Sequence, residues 1–326
     1  MMENIKDGVS VIICCFNSSW VIEKTLEGLL NQKNINSIDY EIIVVDNCSN
    51  DNTDRLVKSV FETYPEIQTK LIYESQPGLI FARNSGIEAS RYSYLLFCDD
   101  DNILCENYVE TAYRILSTND RIAACGGYGI PYFFNCSKPI WFDEYKKAYA
   151  TGKQKLDQRY LYGAGCCFNK RALLKLFSLD YKPLLTGRKK TALLAGDDSE
   201  LTKALISIGY SLCPLDNIYF YHILTSKRLT KQYLINMHIG FGKAALVLDV
   251  YDQIIKKKTF SKYVYLSFFI RDVFKTCLWC IFRLKGGLRS QVAYKFYLGK
   301  LSSYNLFNFS MLYKQYELLY EAGKEK

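Results

Sequence analysis

The chain has 326 residues, 49% hydrophobic and 23% charged, which excludes a disordered chain and allows one large domain with an appendage, or two domains. Its net charge of +9 sits at one end: residues 1–240 carry 27 basic and 27 acidic side chains, whereas residues 241–326 carry 15 and 6. No uncharged apolar run reaches the ~18 residues of a membrane span, and the opening Met1–Gly8 has no apolar signal-peptide core.

Val9–Phe16 reads as a buried strand, Asn17, Ser18 and Ser19 as a turn and cap, and Val21, Leu26, Leu29 and Leu30 as a helical stripe. Glu41–Asp46 is a second strand, and the polar loop Asn47–Asp54 caps a helix running to about Tyr64. Lys70–Glu74 is a short third strand; Pro77 and Gly78 mark a loop before a helix to about Ser90. Leu95–Asn102 is an apolar run, the fourth strand, that ends in three consecutive carboxylates. Strands alternating with helices predict an α/β fold with a parallel sheet.

The ends of those strands converge at one rim, where open α/β sheets bind ligands. Phe16 and Asn17 follow the first, Asp46 and Asn47 the second, and Asp99, Asp100 and Asp101 the fourth. Three adjacent carboxylates repel one another unless a cation sits among them, and oxygen ligands suit Mg²⁺ or Mn²⁺, which also hold phosphate oxygens. The plainer reading is a solvated acidic loop with a helix cap at Asp101 or Asn102, and capping also accounts for Asp46 and Asn47. A ring, an amide or carboxylate, and a metal are what a nucleoside diphosphate requires. Neither GxGxxG nor GxxxxGK[ST] occurs, which argues against dinucleotide and P-loop chemistry. Several of the 12 cysteines lie in apolar runs (Cys14, Cys15, Cys98) and read as reduced. Cys277 and Cys280 form a CxxC without the second pair that a zinc site requires.

Val9–Asn17, Val44–Asp54, Pro77–Ile87 and Phe97–Asp101, followed by Gly163–Leu174 and Gly196–Leu201, together resemble glycosyltransferase family 2, over roughly residues 9–235. The resemblance implies an α/β GT-A fold, a mostly parallel sheet flanked by helices, with a C-terminal helical extension. It also implies a catalytic domain over 1–235, with a nucleotide-binding half 1–102 and an acceptor-binding half 103–235. The activity implied is inverting transfer from a nucleoside-diphosphate sugar to a glycan hydroxyl. By that resemblance Phe16, Asn17, Asp46 and Asn47 hold base and ribose, and Asp99 to Asp101 supply the metal and ribose contacts of the DXD motif. Asp101 is then the direct metal ligand, with Asp99 or Asp100 on the ribose or beside the metal. Many members carry two acids where this chain has Asp46 and Asn47, a departure that bears on which base is read. Arg83 and Asn84 lie under the donor loop; Arg83 faces either the diphosphate or an acid of the triplet.

The same resemblance makes Asp198 the general base that takes the acceptor proton, preceded by Asp197 where Glu is usual. Both acids could instead cap the helix that follows. His222 falls in a segment where a histidine can face the metal or the diphosphate; otherwise it is a histidine at a strand end. The aromatic stretch containing Trp141, Tyr145 and Tyr149 could face an acceptor sugar or fill core, and Gly163 and Gly165 permit close backbone approach or simply form a turn.

Residues 236–326 carry no catalytic motif. Val264–Phe282 reads as an apolar, aromatic helix broken only by Arg271, Asp272 and Lys275, with Lys256–Lys258, Lys262, Arg283 and Arg289 beside it. That pattern predicts a helix lying on an anionic membrane surface, against the alternative of a core or subunit contact. No nucleic-acid motif accompanies the basic residues. The expected setting is the cytoplasm, at the inner face of the cell membrane, with a lipid-linked glycan of surface polysaccharide synthesis as acceptor. The alternatives are a sugar-nucleotide pyrophosphorylase, whose glycine-rich basic loop after the first strand is missing here, and a non-catalytic nucleotide-sugar-binding module.

Overall fold

In the computed structural model the structure describes residues 5–35, 37–187, 195–284 and 286–324. The chain divides into two compact units, Met1–Lys175 with Tyr210–Thr225, and Leu176–Gly209 with Ser226–Lys326. This division cuts across the 235/236 boundary read from the sequence, because residues 176–209 group with the tail.

The first unit holds an eight-stranded sheet: β1 (Lys6–Cys15), β2 (Tyr40–Asp46), β3 (Gln68–Tyr73), β4 (Tyr92–Asp99), β5 (Asn102–Leu104), β6 (Ile122–Phe134), β7 (Cys166–Asn169) and β8 (Ser211–Thr225). The strand order is β3-β2-β1-β4-β7-β6-β8-β5. Pairings β1/β2, β1/β4, β2/β3 and β6/β8 are parallel; β7 runs antiparallel to β4 and β6, and β5 antiparallel to β8. The sheet is therefore mixed, with its parallel half where the alternating strands and helices predict it.

Helices α1 (Ile22–Leu30), α2 (Thr53–Thr63), α3 (Leu79–Ala89), α4 (Tyr108–Ser117) and α5 (Phe142–Tyr145) also belong to this unit, and α6 (Lys170–Phe177) leads out of it. The stripe Ile22, Leu26 and Leu29 of α1 and Tyr108, Val109 and Ala112 of α4 bury against Val9, Val11 and Ile13 of β1. Each such large side chain contributes about 1.5–3 kcal/mol on burial. Strand β2 is buried along its whole length, as a central parallel strand must be. At the opposite end from the ligand rim, buried Glu41 accepts from Ser10 Oγ (2.6 Å), Arg91 N (2.8 Å) and Arg91 Nε (3.0 Å), tying β1, β2 and the start of β4.

The second unit is helical: α7 (Asp197–Ser207), α8 (Lys231–Ile255), α9 (Lys262–Arg283), α10 (Leu288–Ser303) and α11 (Phe309–Ala322). Helices α8 and α10 cross at reciprocal glycines. A Cβ on Gly242 would fall 2.0 Å from the Phe296 carbonyl oxygen, and one on Gly299 would fall 2.3 Å from that of Ile239. Leu312 and Leu319 of α11 are buried in the same unit. Helix α9 confirms the helix expected over Val264–Phe282, but of its charged strip Asp272 is buried beside Lys300, and Arg271, itself exposed, reaches Asp249.

Candidate active site

Strand register sets the rim. Cys15 stands opposite Asp46, Cys14 opposite Asp99, and Asp46 opposite Tyr73, so the ends of β1 to β4 come level. Phe16 leaves β1 partly exposed. Asn17 adopts φ 55°, a left-handed conformation that Asn tolerates. Its backbone N–H donates to Ser49 Oγ (2.9 Å) and its side-chain oxygen accepts from Asn50 N (2.9 Å). Asp46 is buried and accepts from Ser49 N at 3.0 Å. Asn47 turns its amide toward the loop 74–78: Nδ2 donates to the carbonyls of Glu74 (3.2 Å) and Gln76 (2.7 Å), and Oδ1 accepts from Gly78 N (2.7 Å). The amides of Asn17 and Asn47 thus shape loops, whereas Phe16 stands partly exposed at the rim.

The three carboxylates diverge. Asp100 accepts from the Ser18 hydroxyl, and its carbonyl accepts from Thr25 Oγ1 at 2.7 Å, which fastens it to the start of α1. Asp101 is buried; its Oδ1 accepts from Asn102 Nδ2 (3.2 Å), and its carbonyl accepts from Ile223 N (2.9 Å). That last bond belongs to the pairing of β5 with β8, which sets His222 opposite Asn102. As a result His222 Nε2 lies 3.5 Å from Asp101 Oδ2. On the far side of the ring, Nδ1 donates to the Tyr149 carbonyl at 2.6 Å. A neutral imidazole held that way presents the Nε2 lone pair to the carboxylate. At 3.5 Å there is no hydrogen bond, so this buried Nε2 has none, and neither does the adjacent Asn102 Oδ1.

The donor set fits a divalent cation. A carboxylate oxygen and an imidazole lone pair face one gap, and the carbonyl anchor on Nδ1 is the outer partner that metal-binding histidines use. Among the described residues no three His, Cys, Asp or Glu side chains group as a complete cage. Asp99, at the end of β4, therefore does not complete a three-ligand set with Asp101 and His222. Two protein ligands with phosphate oxygens supplying the rest is the ordinary arrangement for Mg²⁺ in phosphate chemistry. Burial pushes the nearby Cys14 thiol up to about 12 and the Cys98 thiol well above its ordinary value.

Arg83 on α3 lies 5.7 Å from the centroid of the Phe97 ring, and its charge acts on Cys14 against Asp99 and Asp100. Asn84 beside it is exposed. The aromatic stretch divides. Phe142 and Tyr149 are buried and pack at 5.3 Å between centroids, while half-buried Trp141 stands 6.5 Å from both Tyr145 and Tyr149. Gly163 precedes β7, and Gly165 takes φ +67° in the same turn. A Cβ on Gly165 would fall 2.4 Å from Tyr108 Oη. That buried hydroxyl donates to the Gly165 carbonyl (2.6 Å) and accepts from Gly127 N (2.8 Å), which holds the turn to β6.

In the second unit, Asp197 and Asp198 open α7 after Gly196, and both are partly exposed. Asp198 Oδ1 accepts from Ser199 N at 2.7 Å, inside the first turn, while the N-cap position itself is Gly196. Glu200, two residues on, is buried and accepts from Leu184 N (2.9 Å), Leu185 N (2.6 Å) and Tyr251 Oη (2.8 Å). Burial nonetheless raises its carboxyl from 4.5 to about 7.

Sequence reasoning missed Ser18 and Thr25 as clamps on Asp100, the Tyr149 carbonyl behind His222, and the burial of Glu200. A serine directly after a strand was a visible signal for the first. Nothing in the sequence announces a backbone carbonyl.

Residues 10–177 match the family described as "Glycosyl transferase family 2". The chain is 32% identical over 123 residues to the poly(ribitol-phosphate) beta-N-acetylglucosaminyltransferase TarP of Staphylococcus aureus, 37% of either chain. To the glycosyltransferase AglE of Haloferax volcanii it is 26% identical over 255 residues, 78% of either chain. Among the first curated relatives the match spans only 37%, 17% and 19% of the relative's own length. In fold the chain is similar to the mannosyltransferase PcManGT of Pyrobaculum calidifontis, solved with GDP-Man and Mn²⁺. The TM-score is 0.59 at 16% identity, covering 93% of this chain and 88% of that one.

Proposed function

This chain belongs to glycosyltransferase family 2, and from that premise we propose that it transfers a sugar from a nucleoside-diphosphate sugar to a glycan hydroxyl with inversion, in surface polysaccharide synthesis. The observation that carries this reading is the gap between Asp101 Oδ2 and His222 Nε2 at the ligand rim. Those two residues would hold Mg²⁺ or Mn²⁺ together with the donor's diphosphate oxygens. A cation there supplies positive charge to the departing diphosphate.

The chain's own residues do the rest. Phe16 stacks on the base, and Asp46, Asp99 and Asp100 take base and ribose contacts. Asn17 and Asn47 hold the loops around them, and Arg83 and Asn84 serve the diphosphate side. Asp198 removes the proton of the acceptor hydroxyl as its oxygen bonds to the anomeric carbon. The bond from that carbon to the diphosphate oxygen breaks in the same step, and the nucleoside diphosphate leaves. Trp141, Gly163, Gly165 and Asp197 belong to the sugar and acceptor region. The acceptor is a lipid-linked glycan, and the protein works at the inner face of the cell membrane.

Hydrolysis assayed across a panel of nucleotide sugars tests the reading. One or a few donors should release nucleoside diphosphate, and a chelator should stop it. Pyrophosphate released from a nucleoside triphosphate and a sugar phosphate would assign a pyrophosphorylase instead. Tight nucleotide binding with no turnover of any donor would assign a binding module.

A further inference from the structure

Helix α9 buries an acid and exposes a line of large apolar side chains. Asp272 is 0% exposed. It accepts from Arg271 Nε (2.9 Å) and Tyr304 Oη (2.8 Å), and Lys300 Nζ stands 3.7 Å away. Arg271 and Lys300 each also bind Asp249 of α8 at 2.7 Å. Phe268 and Thr276, one turn to either side of Asp272, are buried as well. With positions 268, 272 and 276 facing in, the opposite line faces out: Tyr263, Leu266, Ile270, Phe274, Ile281 and Leu284, which are 52% to 86% exposed. Spacings of three, four and seven residues keep them in one straight seam about 30 Å long.

A lone globular unit buries such a seam and exposes its charges. Here the ion network does the opposite. Rotating α9 to bury the seam would strip Asp272 of Lys300 and Tyr304, and Arg271 of Asp249, which is costly for a buried carboxylate. The surroundings of the seam say what covers it. Lys256, Lys257, Lys258 and Lys262 are exposed ahead of it, and Arg289 is exposed beyond it. A hollow of about 400 Å³ at its far end is lined by Arg283, Lys295, Gln232, Gln291 and Ile235: two cations, two amides, no carboxylate. A second copy of the chain would bring these cationic ends together. Among the described residues no helix is long and apolar enough to cross a membrane.

We infer that α9 lies in the plane of an anionic bilayer, its seam among the acyl chains, with the Lys256–Lys262 segment and the Arg283/Lys295 hollow on headgroup phosphates. This deepens the membrane part of the proposed function, and its test needs no sugar donor.

The full chain is floated with phosphatidylcholine vesicles that contain, or lack, about 30 mol % phosphatidylglycerol. It should bind the anionic vesicles alone, and about 0.5 M salt should release most of it. Leu266→Glu/Ile270→Glu/Phe274→Glu should weaken binding tenfold or more, and Arg283→Gln/Lys295→Gln should weaken it severalfold. All five positions lie outside the proposed chemistry. The unaltered protein supplies a second readout, because Cys277 lies on the seam and is the one exposed cysteine among the described residues. A water-soluble maleimide should label it in solution and be blocked by anionic vesicles. Undiminished Cys277 labelling on bound protein would overturn the inference, and so would a stable dimer that the Glu variant dissolves. Should vesicles bind as inferred while no donor turns over, the functional reading fails alone. Should transfer proceed while vesicles are ignored, the membrane inference fails alone.

Discussion

His222 Nε2 faces Asp101 Oδ2 across 3.5 Å, the two brought together by the antiparallel pairing of β5 with β8. The ring cannot turn away, because its Nδ1 is spent on the Tyr149 carbonyl at 2.6 Å. Asp101 is fixed through its own carbonyl to Ile223 N. A divalent cation held between the two would draw on both.

If both residues hold one cation, their removals are not additive. Asp101→Ala and His222→Ala should each abolish Mn²⁺-dependent binding of a nucleoside diphosphate while the protein stays folded, and the double variant should cost little more than either. Calorimetry across a nucleotide panel measures this. Independent, additive losses would place the two side chains in different sites.

Asp198→Asn keeps an oxygen to accept from Ser199 N but cannot take a proton. It should bind donor and metal as the wild type does and lose transfer by about 10²–10⁴. Transfer within a few-fold of wild type would send the base role to Asp197.

Glu200 makes stability depend on pH in a stated direction. Its folded carboxyl, raised to about 7 by burial, binds a proton that the unfolded chain releases near 4.5. The proton therefore favours the folded state, fully so below the unfolded value, and that stability is lost as pH rises from about 4.5 to 7. The whole effect amounts to about 3 kcal/mol at most. Thermal unfolding followed over that range should show a steeper decline in wild type than in Glu200→Gln, which cannot titrate. Parallel pH profiles would remove Glu200 as the source.

Tyr108→Phe deletes one hydroxyl that serves two buried backbone groups, the Gly165 carbonyl and Gly127 N–H. It should cost about 1–3 kcal/mol in denaturant unfolding, since Gly127 N–H loses a partner in a dry site. Gly165→Ala should cost at least as much, from its left-handed backbone and the 2.4 Å approach to Tyr108 Oη. Both should act on stability and leave nucleotide affinity intact in the folded fraction.

The half of the fold built from β1 to β4 was legible because β1, β2 and β4 are apolar runs and the helix after β1 carries a clean stripe. Asp99 to Asp101 were legible because three adjacent acids have few plain explanations. Strand β7 was not, since four residues between two antiparallel neighbours carry no pattern of their own. Asn47 read as a ligand contact, yet its amide is taken up by the backbone of residues 74–78, a pairing that only tertiary structure specifies. The inward turn of Asp272 on α9 was hidden for the same reason: the acid finds partners at Lys300 and Tyr304, and its neighbour Arg271 finds one at Asp249, all far along the chain.

The first unit is discontinuous, and that has a consequence on the ribosome. The chain leaves the unit after Lys175 and returns only at Tyr210, so β8 is the last strand to be made. Until it emerges, β5 has no partner and β6 has an open edge where β8 belongs. The nascent protein must therefore hold a half-finished sheet through some thirty further residues of synthesis, exposing an edge that invites pairing with other chains. His222 arrives on that same closing strand. The step that seals the sheet also brings in the second of the two residues facing the gap, so no nascent chain short of β8 can contain the pair.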